Sequence, residues 1–183
     1  MKAVLISIRP KWCELIASRK KTIEVRKSRP KLETPFKCYI YETMDEDYKG
    51  RAIQFHRDGR LCGFVHYLGK IIGEFVCDDL THIQAGIDTM GMKHLYNTVF
   101  IQAGTCLTEH ELFDYLHGGK KKTYGGWAWH ISDLTIYDRP RELGELIGGS
   151  SRLTFSEDGK KIIWSGLKRP PQSWCYVEEV TDQ

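Results

Sequence analysis

The sequence predicts an α+β fold built around a mixed sheet or a small barrel. Strand patterns outnumber helix patterns, at about six main strands and a small hairpin against two or three helices. Strands and helices do not alternate regularly along the chain, which argues against a doubly wound parallel sheet. With 183 residues, the chain has the length of a single domain, 1–183, that can bury a core without disulfides or metal ions.

The first third of the chain alternates between strand and helix patterns. Ala3–Ile8 is an apolar run typical of a buried strand. Pro10 fits the first turn of a helix that ends near Ser18, because the first turn leaves its N–H groups unpaired and proline has none. Residues 22–26 and 36–41 then alternate in polarity with the two-residue period of strands.

The middle of the chain is harder to interpret. Residues 42–60 are polar without a sustained period, which predicts a long loop. A strand is predicted over 70–77. Residues 78–105 show no clear pattern, and their role stays open. They contain Ile-Gln-Ala-Gly twice, at 83–86 and 101–104, which is too few copies for a repeat architecture.

The last third begins with a helix signal. Thr108 and Glu111 have the spacing of a capping box, and Gly118-Gly119 is typical of a helix end. The remaining predicted elements are a strand from Trp127 to about Tyr137, a short helix near 141–147, a hairpin at about 153–164 around Asp158-Gly159, and a strand over 174–178.

The charge distribution is more informative than the net charge. Residues 1–31 carry ten basic and two acidic side chains, a balance of +8, although the whole chain has a net charge of only +3. Such an asymmetry suggests a basic face that can meet phosphate. A solvated surface of lysine and arginine is the alternative interpretation.

Cysteine usage and hydropathy indicate the compartment. None of the six cysteines belongs to a C-x-x-C pair, and they stand inside apolar segments, as buried thiols do in a reducing compartment. The sequence contains no apolar run long enough for a membrane span or signal core, no zincin motif and no glycine-rich nucleotide motif. We therefore expect a cytoplasmic protein without metal, cofactor or membrane partner. The oligomeric state stays open, with a monomer favoured.

Residues 7–26 carry the chemistry, in the order strand, helix, basic turn, strand. Glu24 and Arg26 share one strand face, and Lys21 stands at the start of that strand. Arg9 lies at the start of the helix, where free N–H groups add positive potential. A cleft with these four side chains would offer cationic donors to phosphate and a carboxylate acceptor to a base or ribose. On spacing alone, a surface ion pair between Glu24 and Arg26 is the commoner arrangement.

This stretch resembles the signature of ASCH domains, which belong to the PUA-like superfamily. The signature is a helix followed by (Gly or Ser)-x-Lys-x-x-Glu-x-Arg, and Lys21, Glu24 and Arg26 match its charged positions. Ser7-Ile-Arg-Pro10 fits the usual strand-to-helix connection. The family usually has glycine in the turn, where this chain has Ser18-Arg19-Lys20. Residues 72–76, 126–130 and 169–174 fit less specifically.

The resemblance implies a PUA-like small mixed β-barrel with two or three flanking helices and a cleft beside the first helix. It implies RNA or a modified nucleoside as the partner, held by Lys21, Glu24 and Arg26. Two further candidate contacts come from the sequence itself: Arg9 at the helix start, and Tyr124 beside Lys120–Lys122 and Gly125-Gly126. One compact bacterial branch of the family hydrolyses N4-acetylcytidine with a lysine, a threonine three residues later and a glutamate. In this chain Glu24 stands at the threonine position.

Three functional hypotheses follow. The first is binding of RNA or a modified nucleoside in a basic cleft. The second is a hydrolase, either an amidohydrolase or a nuclease, in which Lys21 and Glu24 activate a water molecule. The third is a protein-interaction module that uses residues 42–60, and an exposed apolar patch beside that segment would favour it.

Two tryptophans and one histidine have structural interpretations. Trp127 and Trp129 share a strand face, and alternating aromatic residues usually line a core, although exposed rings could stack on bases. His130 lies on the opposite face, where we expect a hydrogen-bonded core or rim residue rather than a catalytic one.

Overall fold

Two β-sheets organise the chain, as seen in a computed structural model that describes residues 1–57, 59–98, 101–117, 125–148, 152–155 and 162–179. The strands are β1 (Lys2–Ile8), β2 (Ile23–Arg26), β3 (Phe36–Glu42), β4 (Ala52–Arg57), β5 (Arg60–Val65), β6 (Ile71–Cys77), β7 (Leu80–Ile87), β8 (Lys93–Tyr96), β9 (Gly125–His130), β10 (Ser132–Arg141), β11 (Arg152–Phe155), β12 (Ile162–Ser165) and β13 (Trp174–Glu178). The helices are α1 (Pro10–Ala17), α2 (Gln102–Thr105) and α3 (Glu109–His117). Among the described residues, no helix has the length and apolar character needed to cross a membrane.

The larger sheet has five strands in the order β10–β6–β3–β1–β13. β1 and β3 are parallel, and the other neighbours are antiparallel. Apolar clusters cover both faces of β1, one against Val4, Ile6 and Ile8 and another against Ala3 and Leu5, so its residues from Ala3 to Ile8 are all buried. The apolar run at the start of the sequence is therefore a buried strand, as predicted.

The smaller sheet has four antiparallel strands in the order β2–β9–β7–β8. The chain passes from one sheet to the other at two corners, from β6 to β7 through Asp78-Asp79 and from β9 to β10 through Ile131. The single strand expected over 127–137 is therefore two strands in different sheets. The corners were not visible in the sequence because both strands continue the same apolar pattern.

The α+β class is confirmed, but the described strands do not form the expected closed barrel. Within these residues, no hydrogen-bonded ladder joins β2 or β8, at the edges of the smaller sheet, to β10 or β13, at the edges of the larger one. Between β2 and β1 a side chain makes the connection: Arg26 Nη2 donates to the main-chain carbonyl of Ser7 at 2.6 Å. This seam between the two sheets positions the candidate site.

Three apolar clusters hold the layers together. The largest lies between the sheets and includes Trp129, which is fully buried and meets Phe36 edge-on at 5.8 Å between ring centroids. The expectation of core packing is therefore confirmed for Trp129, while Trp127 packs at the margin of the same cluster. A second cluster joins the larger sheet to Leu146 and Leu167. The third places α3 against the outer face of the smaller sheet.

Residues 42–60, expected to form a loop, contain regular structure. After a 3-10 turn at Glu46–Tyr48, β4 begins at Ala52 and pairs with β5 in an antiparallel hairpin. The period-two signal, with Ile53 and Phe55 alternating with polar neighbours, is short and is surrounded by charged residues. Phe64 of the hairpin is buried in the central core, which explains why this polar segment folds.

Two later expectations have mixed outcomes. The short helix expected near 141–147 is a 3-10 turn at Leu143–Glu145. The hairpin at about 153–164 is confirmed in the pairing of β11 with β12, and its Asp158-Gly159 turn lies outside the described residues. The two Ile-Gln-Ala-Gly copies are not a repeat: one lies in β7 and the other leads into α2.

All six cysteines are described, and none forms a disulfide. Burial raises the pKa of the Cys13 and Cys38 thiols and raises that of Cys77 to about 12. These three residues therefore behave as apolar core side chains, since the thiolate form is strongly disfavoured.

The turn after α1 forms without the expected glycine. Arg19 takes the left-handed conformation, with φ at 58°. The chain reversal is closed by hydrogen bonds from Arg19 N to the Ile16 carbonyl and from Lys20 N and Lys21 N to the Leu15 carbonyl. A residue with a Cβ is strained in this conformation, which is why glycine is usual at this position of a helix end.

Replacement of Arg19 by Gly should stabilise the protein. Removing the Cβ relieves a strain of about 1–2 kcal/mol, part of which is offset by losing the contact of Arg19 Nη2 with the Leu134 carbonyl and by the flexibility of glycine. We expect urea unfolding to show a gain of about 0.5–1 kcal/mol. Arg19→Ala, which loses the same contact but keeps the Cβ, should show no gain. A gain in the alanine variant equal to that in the glycine variant would contradict the assignment of strain.

Candidate functional site

A groove of about 860 Å³ follows the outer edge of β2, at the seam where the two sheets are not joined. We call it the β2 groove. Its walls are formed by Ser7, Arg9, Trp12, Lys21, Glu24, Val25, Arg26, Lys27, Ser28, Thr43, Leu107, Tyr115, Gln172 and Ser173. Of the five side chains predicted as site residues, Arg9, Lys21, Glu24 and Arg26 come together here. The fifth, Tyr124, lies outside the described residues.

Glu24 bridges two cations at the base of the groove. Its Oε2 lies 3.3 Å from Lys21 Nζ and its Oε1 lies 3.0 Å from Arg26 Nη2. Lys21, Glu24 and Arg26 are only 3%, 7% and 9% exposed. The interpretation of Glu24 and Arg26 as a surface pair is therefore wrong. Burial strengthens these interactions, and the ion network carries a net positive charge facing the groove.

Lys21 is fully engaged within the protein. Its ammonium donates to the main-chain carbonyls of Ile23 at 2.7 Å and Thr105 at 2.9 Å, and its third N–H can meet Glu24. It also lies 5.2 Å from the centre of the Trp12 ring. Lys21 therefore ties β2 to α2, whereas the sequence predicted a free cationic donor for a ligand.

The approach of α2 to β2 depends on a glycine. A Cβ atom at Gly104 would lie 2.7 Å from Thr22 Oγ1 and 2.9 Å from Ile23 Cγ1, closer than real contacts allow. Gly104 also accepts a hydrogen bond from Thr22 N. Glycine thus lets the Thr105 carbonyl reach Lys21. Sequence reasoning missed this contribution because a main-chain carbonyl leaves no side-chain signal.

Arg26 keeps a buried donor without a partner. Its Nη2 serves both Ser7 and Glu24, but its Nε has no hydrogen-bond partner among the described residues. A buried donor left unsatisfied costs about 1–3 kcal/mol, and a ligand acceptor would remove that cost. This feature distinguishes the network from one that is complete within the protein.

The edge of β2 also presents main-chain groups to the groove. Thr22 O accepts from Ile131 N on the β9 side, whereas Ile23 O turns the other way, to Lys21. Because main-chain groups alternate along a strand, the N–H and carbonyl of Val25 face the same side as that of Ile23. No described residue bonds to them. They add one donor and one acceptor to the wall of the groove.

Aromatic rings and exposed cations line the rim. Arg9 is exposed at the start of α1, Lys11 lies 4.7 Å from the Trp12 ring centre, and Lys27 lies 5.4 Å from that of Tyr115. Partial burial raises the pKa of Tyr115, which keeps its phenol neutral. Sequence reasoning missed Tyr115. The available signal was a half-exposed aromatic residue in α3, at the border of the face that carries its buried leucines.

A second buried polar cluster lies on the opposite side of α1. His66 Nδ1 is 2.6 Å from Glu42 Oε1, and His66 Nε2 is 2.8 Å from Glu14 Oε1. Glu42 also accepts from Tyr67 N at 2.7 Å. Burial raises the pKa of Glu42, although these partners favour its ionised form. The cluster attaches the end of the β4–β5 hairpin to β3 and α1.

His130 lies at a corner between the sheets and is hydrogen-bonded to a carboxylate. Its Nδ1 is 2.6 Å from Asp78 Oδ1, and this partner lowers the pKa of Asp78. His130 is therefore a rim residue with a structural partner, as expected. In the part of the chain that the structure describes, no group of three or more His, Cys, Asp or Glu side chains is arranged to hold a metal ion.

Exposed apolar side chains occur on and beside the segment 42–60. Met44 lies within it, and Leu61, Val65 and Tyr67 follow on or just after β5. Such residues are the condition that favours the protein-interaction hypothesis. That hypothesis stays a prediction.

Comparison with solved structures places the fold among ASCH structures. The crystal structure of ASCH from Zymomonas mobilis matches with a TM-score of 0.55 and 18% identity, over 97% of this chain and 88% of that one. Two variants of that protein, one with tyrosine replaced by phenylalanine and one with serine replaced by alanine, both match with a TM-score of 0.56. Their identities are 18% and 17%, over 98% and 97% of this chain and 92% and 89% of theirs.

No family model matches the sequence, and no curated protein matches it. The fold therefore carries the assignment. The chain has the fold of an ASCH domain, as the signature in residues 7–26 predicts.

Replacement of Glu24 by Gln should destabilise the protein strongly. The change leaves Lys21 and Arg26 buried near one another without the carboxylate between them, and breaking a buried ion pair from one side costs about 3–5 kcal/mol. We expect urea unfolding to show a loss of about 3 kcal/mol. Glu46→Gln removes an exposed carboxylate and should change stability by less than about 0.5 kcal/mol. Equal, small effects in both variants would contradict a structural role for the network.

Replacement of Glu42 by Gln should change how stability depends on pH. The folded-state pKa of Glu42 is raised, so its contribution to stability is fully present below the unfolded pKa and is lost as pH rises through the folded pKa. A glutamine side chain does not titrate, so the variant does not lose this stability as pH rises. The free energy of unfolding of the variant minus that of the wild type should therefore rise as pH increases above the ordinary glutamate pKa of about 4.3. Urea titrations at increasing pH above this value test it, with Glu46→Gln as the control; a difference that falls with pH would contradict the assignment.

Proposed function

We propose that the chain binds RNA or a modified nucleoside in the β2 groove. The observation that carries the proposal is the buried network of Lys21, Glu24 and Arg26, which faces the groove and leaves Arg26 Nε without a partner. A carbonyl or phosphate oxygen of a nucleotide can pair with the net positive charge of this network. The remaining lone pairs of Glu24 can accept from an amino group.

The rim offers both components that nucleic-acid ligands use. Trp12 and Tyr115 provide ring faces, each now covered by an exposed lysine, Lys11 or Lys27. An exposed cation–π contact contributes about 0.5–1 kcal/mol, whereas stacking of a base contributes about 1–3 kcal/mol. A base can therefore compete with either lysine for its ring.

The charge distribution and the fold support the same proposal. Four of the ten basic side chains of segment 1–31, Arg9, Lys21, Arg26 and Lys27, line the groove, and Lys11 lies against the ring of Trp12. The ASCH resemblance implies RNA or a modified nucleoside as the ligand. This proposal joins that implication to a groove with matching chemistry.

The geometry favours binding over hydrolysis. A general base needs a free lone pair, but the Lys21 ammonium already has three acceptors. Glu24 occupies the position of the threonine nucleophile in the hydrolytic branch. Thr22, the nearby hydroxyl, lies against Gly104 of α2 and does not line the groove. These contacts suit fixed recognition groups better than groups that transfer protons.

Binding should be measurable with fluorescently labelled single-stranded RNA and should weaken with salt. If Arg9, Lys11 and Lys27 neutralise three phosphates, raising the salt from 50 to 200 mM should weaken binding about 20-fold, through counterion release. Arg9→Ala and Lys27→Ala should each weaken binding at low salt and reduce the salt slope by about 0.7. Lys49→Ala, which removes an exposed lysine that does not line the groove, serves as the matched control.

Two results would overturn the proposal. The first is absence of RNA and nucleoside binding at low salt. The second is product formation: the wild type should leave both N4-acetylcytidine and the labelled RNA intact, as followed by chromatography and denaturing gel. Turnover that is abolished by Lys21→Ala in a folded variant would establish the hydrolase instead.

A further inference from the structure

A second cleft adjoins the β2 groove. It measures about 490 Å³, and its lining includes Arg29, Lys31, Leu32, Glu33, Asp79 and Leu80, so its two cations are matched by two carboxylates. Lys27 and Ser28 line the β2 groove, so a single segment passes directly from one site to the other. Because consecutive Cα atoms are about 3.8 Å apart, the two sites are close enough for neighbouring units of one ligand.

Arg29 follows the last residue of segment 27–28 in the β2 groove and packs against an aromatic ring. Its guanidinium carbon is 4.5 Å from the centre of the Trp127 ring, whose ring also contacts His82 at 4.8 Å. Arg29 is exposed, and no carboxylate in the described ranges pairs with it. A guanidinium held against an indole keeps its other face open for stacking on a base and its N–H groups available to phosphate.

The segment that carries Arg29 is fixed before any ligand arrives. Ser28 Oγ accepts from Trp174 Nε1 at 3.1 Å, and Lys31 N donates to the Tyr176 hydroxyl at 2.6 Å. Pro30 between them is buried. Two anchors to β13 therefore hold Arg29 and Lys31 in place, which reduces the entropy lost on binding.

The cleft has walls of different character. Arg29 and Lys31 supply positive charge on the side next to the β2 groove. Leu32 and Leu80 supply apolar surface, and Glu33 and Asp79 supply carboxylate acceptors. A phosphate fits the cationic side, while a base fits the apolar side and can donate an amino hydrogen to a carboxylate. This combination matches one nucleotide rather than an isolated anion.

Resting on the proposed function, we propose that the ligand is a single-stranded oligonucleotide rather than a free nucleoside. In this arrangement Arg29, Lys31 and the second cleft hold the nucleotide next to the one in the β2 groove. The oligonucleotide lies along residues 27–31 and contacts the protein at both ends of that segment.

The test is the dependence of affinity on ligand length. The probes are a ribonucleoside monophosphate and mixed-sequence ribo-oligonucleotides of two, four and eight nucleotides, measured by competition against labelled RNA. We expect the wild-type affinity to rise at least tenfold from the mononucleotide to the tetranucleotide. Arg29→Ala should weaken tetranucleotide binding about tenfold and leave mononucleotide binding within twofold. Lys31→Ala should act in the same direction, and Lys49→Ala should change neither.

The outcomes separate this inference from the function on which it rests. Equal wild-type affinity for the mononucleotide and the tetranucleotide would overturn the second site and leave the β2 groove as a nucleoside site. Equal weakening of both probes by Arg29→Ala would do the same. Failure of the wild type to bind every probe at low salt would overturn the proposed function and this inference together. Since Arg29 is exposed, its variants are expected to keep the wild-type unfolding midpoint, which checks that they are folded.

Discussion

The seam between the two sheets depends on one hydrogen bond, from Arg26 Nη2 to the main-chain carbonyl of Ser7. At this point the two sheets are not joined by a ladder, and a charged side chain makes the connection that strand pairing makes elsewhere. Glu24 orients Arg26, and Lys21 extends the network to α2. The same groups therefore join the sheets and form the base of the groove. Folding and the proposed ligand binding share these buried residues, whereas substitutions at the exposed rim test ligand binding without disturbing the network.

Helix α1 lies between two buried polar clusters, and this placement fixes the wall of the groove that the helix provides. Trp12 faces the Lys21 side, and Glu14 points to His66 on the other side. Cys13 lies between them: the charges of Glu42 and Glu24 both add to the effect of burial in raising the pKa of its thiol. A helix held by apolar contacts alone could shift along a sheet at a small cost in free energy. Directional hydrogen bonds on both sides restrict such a shift, because each requires its own geometry.

The sequence predicted that Lys21, Glu24 and Arg26 share one surface, but it did not predict that they are buried. The two-residue spacing of Glu24 and Arg26 was enough to place them on one face, since strand periodicity is local. Their burial depends on Ser7 and α2, which are distant in sequence, so spacing alone pointed to a surface pair. The β4–β5 hairpin was missed because its stability comes from Phe64 in a remote core and from His66 between two carboxylates. The identical tetrapeptides in β7 and α2 show the same limit, because tertiary contacts decide their conformation.

The main-chain N–H and carbonyl of Val25 limit how far the β2 groove can change through substitutions during evolution. Its N–H and carbonyl belong to every possible residue at that position except proline, which lacks the donor. Substitutions along the groove can alter charge, size and stacking, yet this donor and acceptor persist as long as the strand keeps its place. Part of the chemistry offered to a ligand is thus inherited with the backbone rather than encoded in any side chain. Chains with little sequence identity can present the same main-chain donor and acceptor. Alanine substitution at this position would not remove either group.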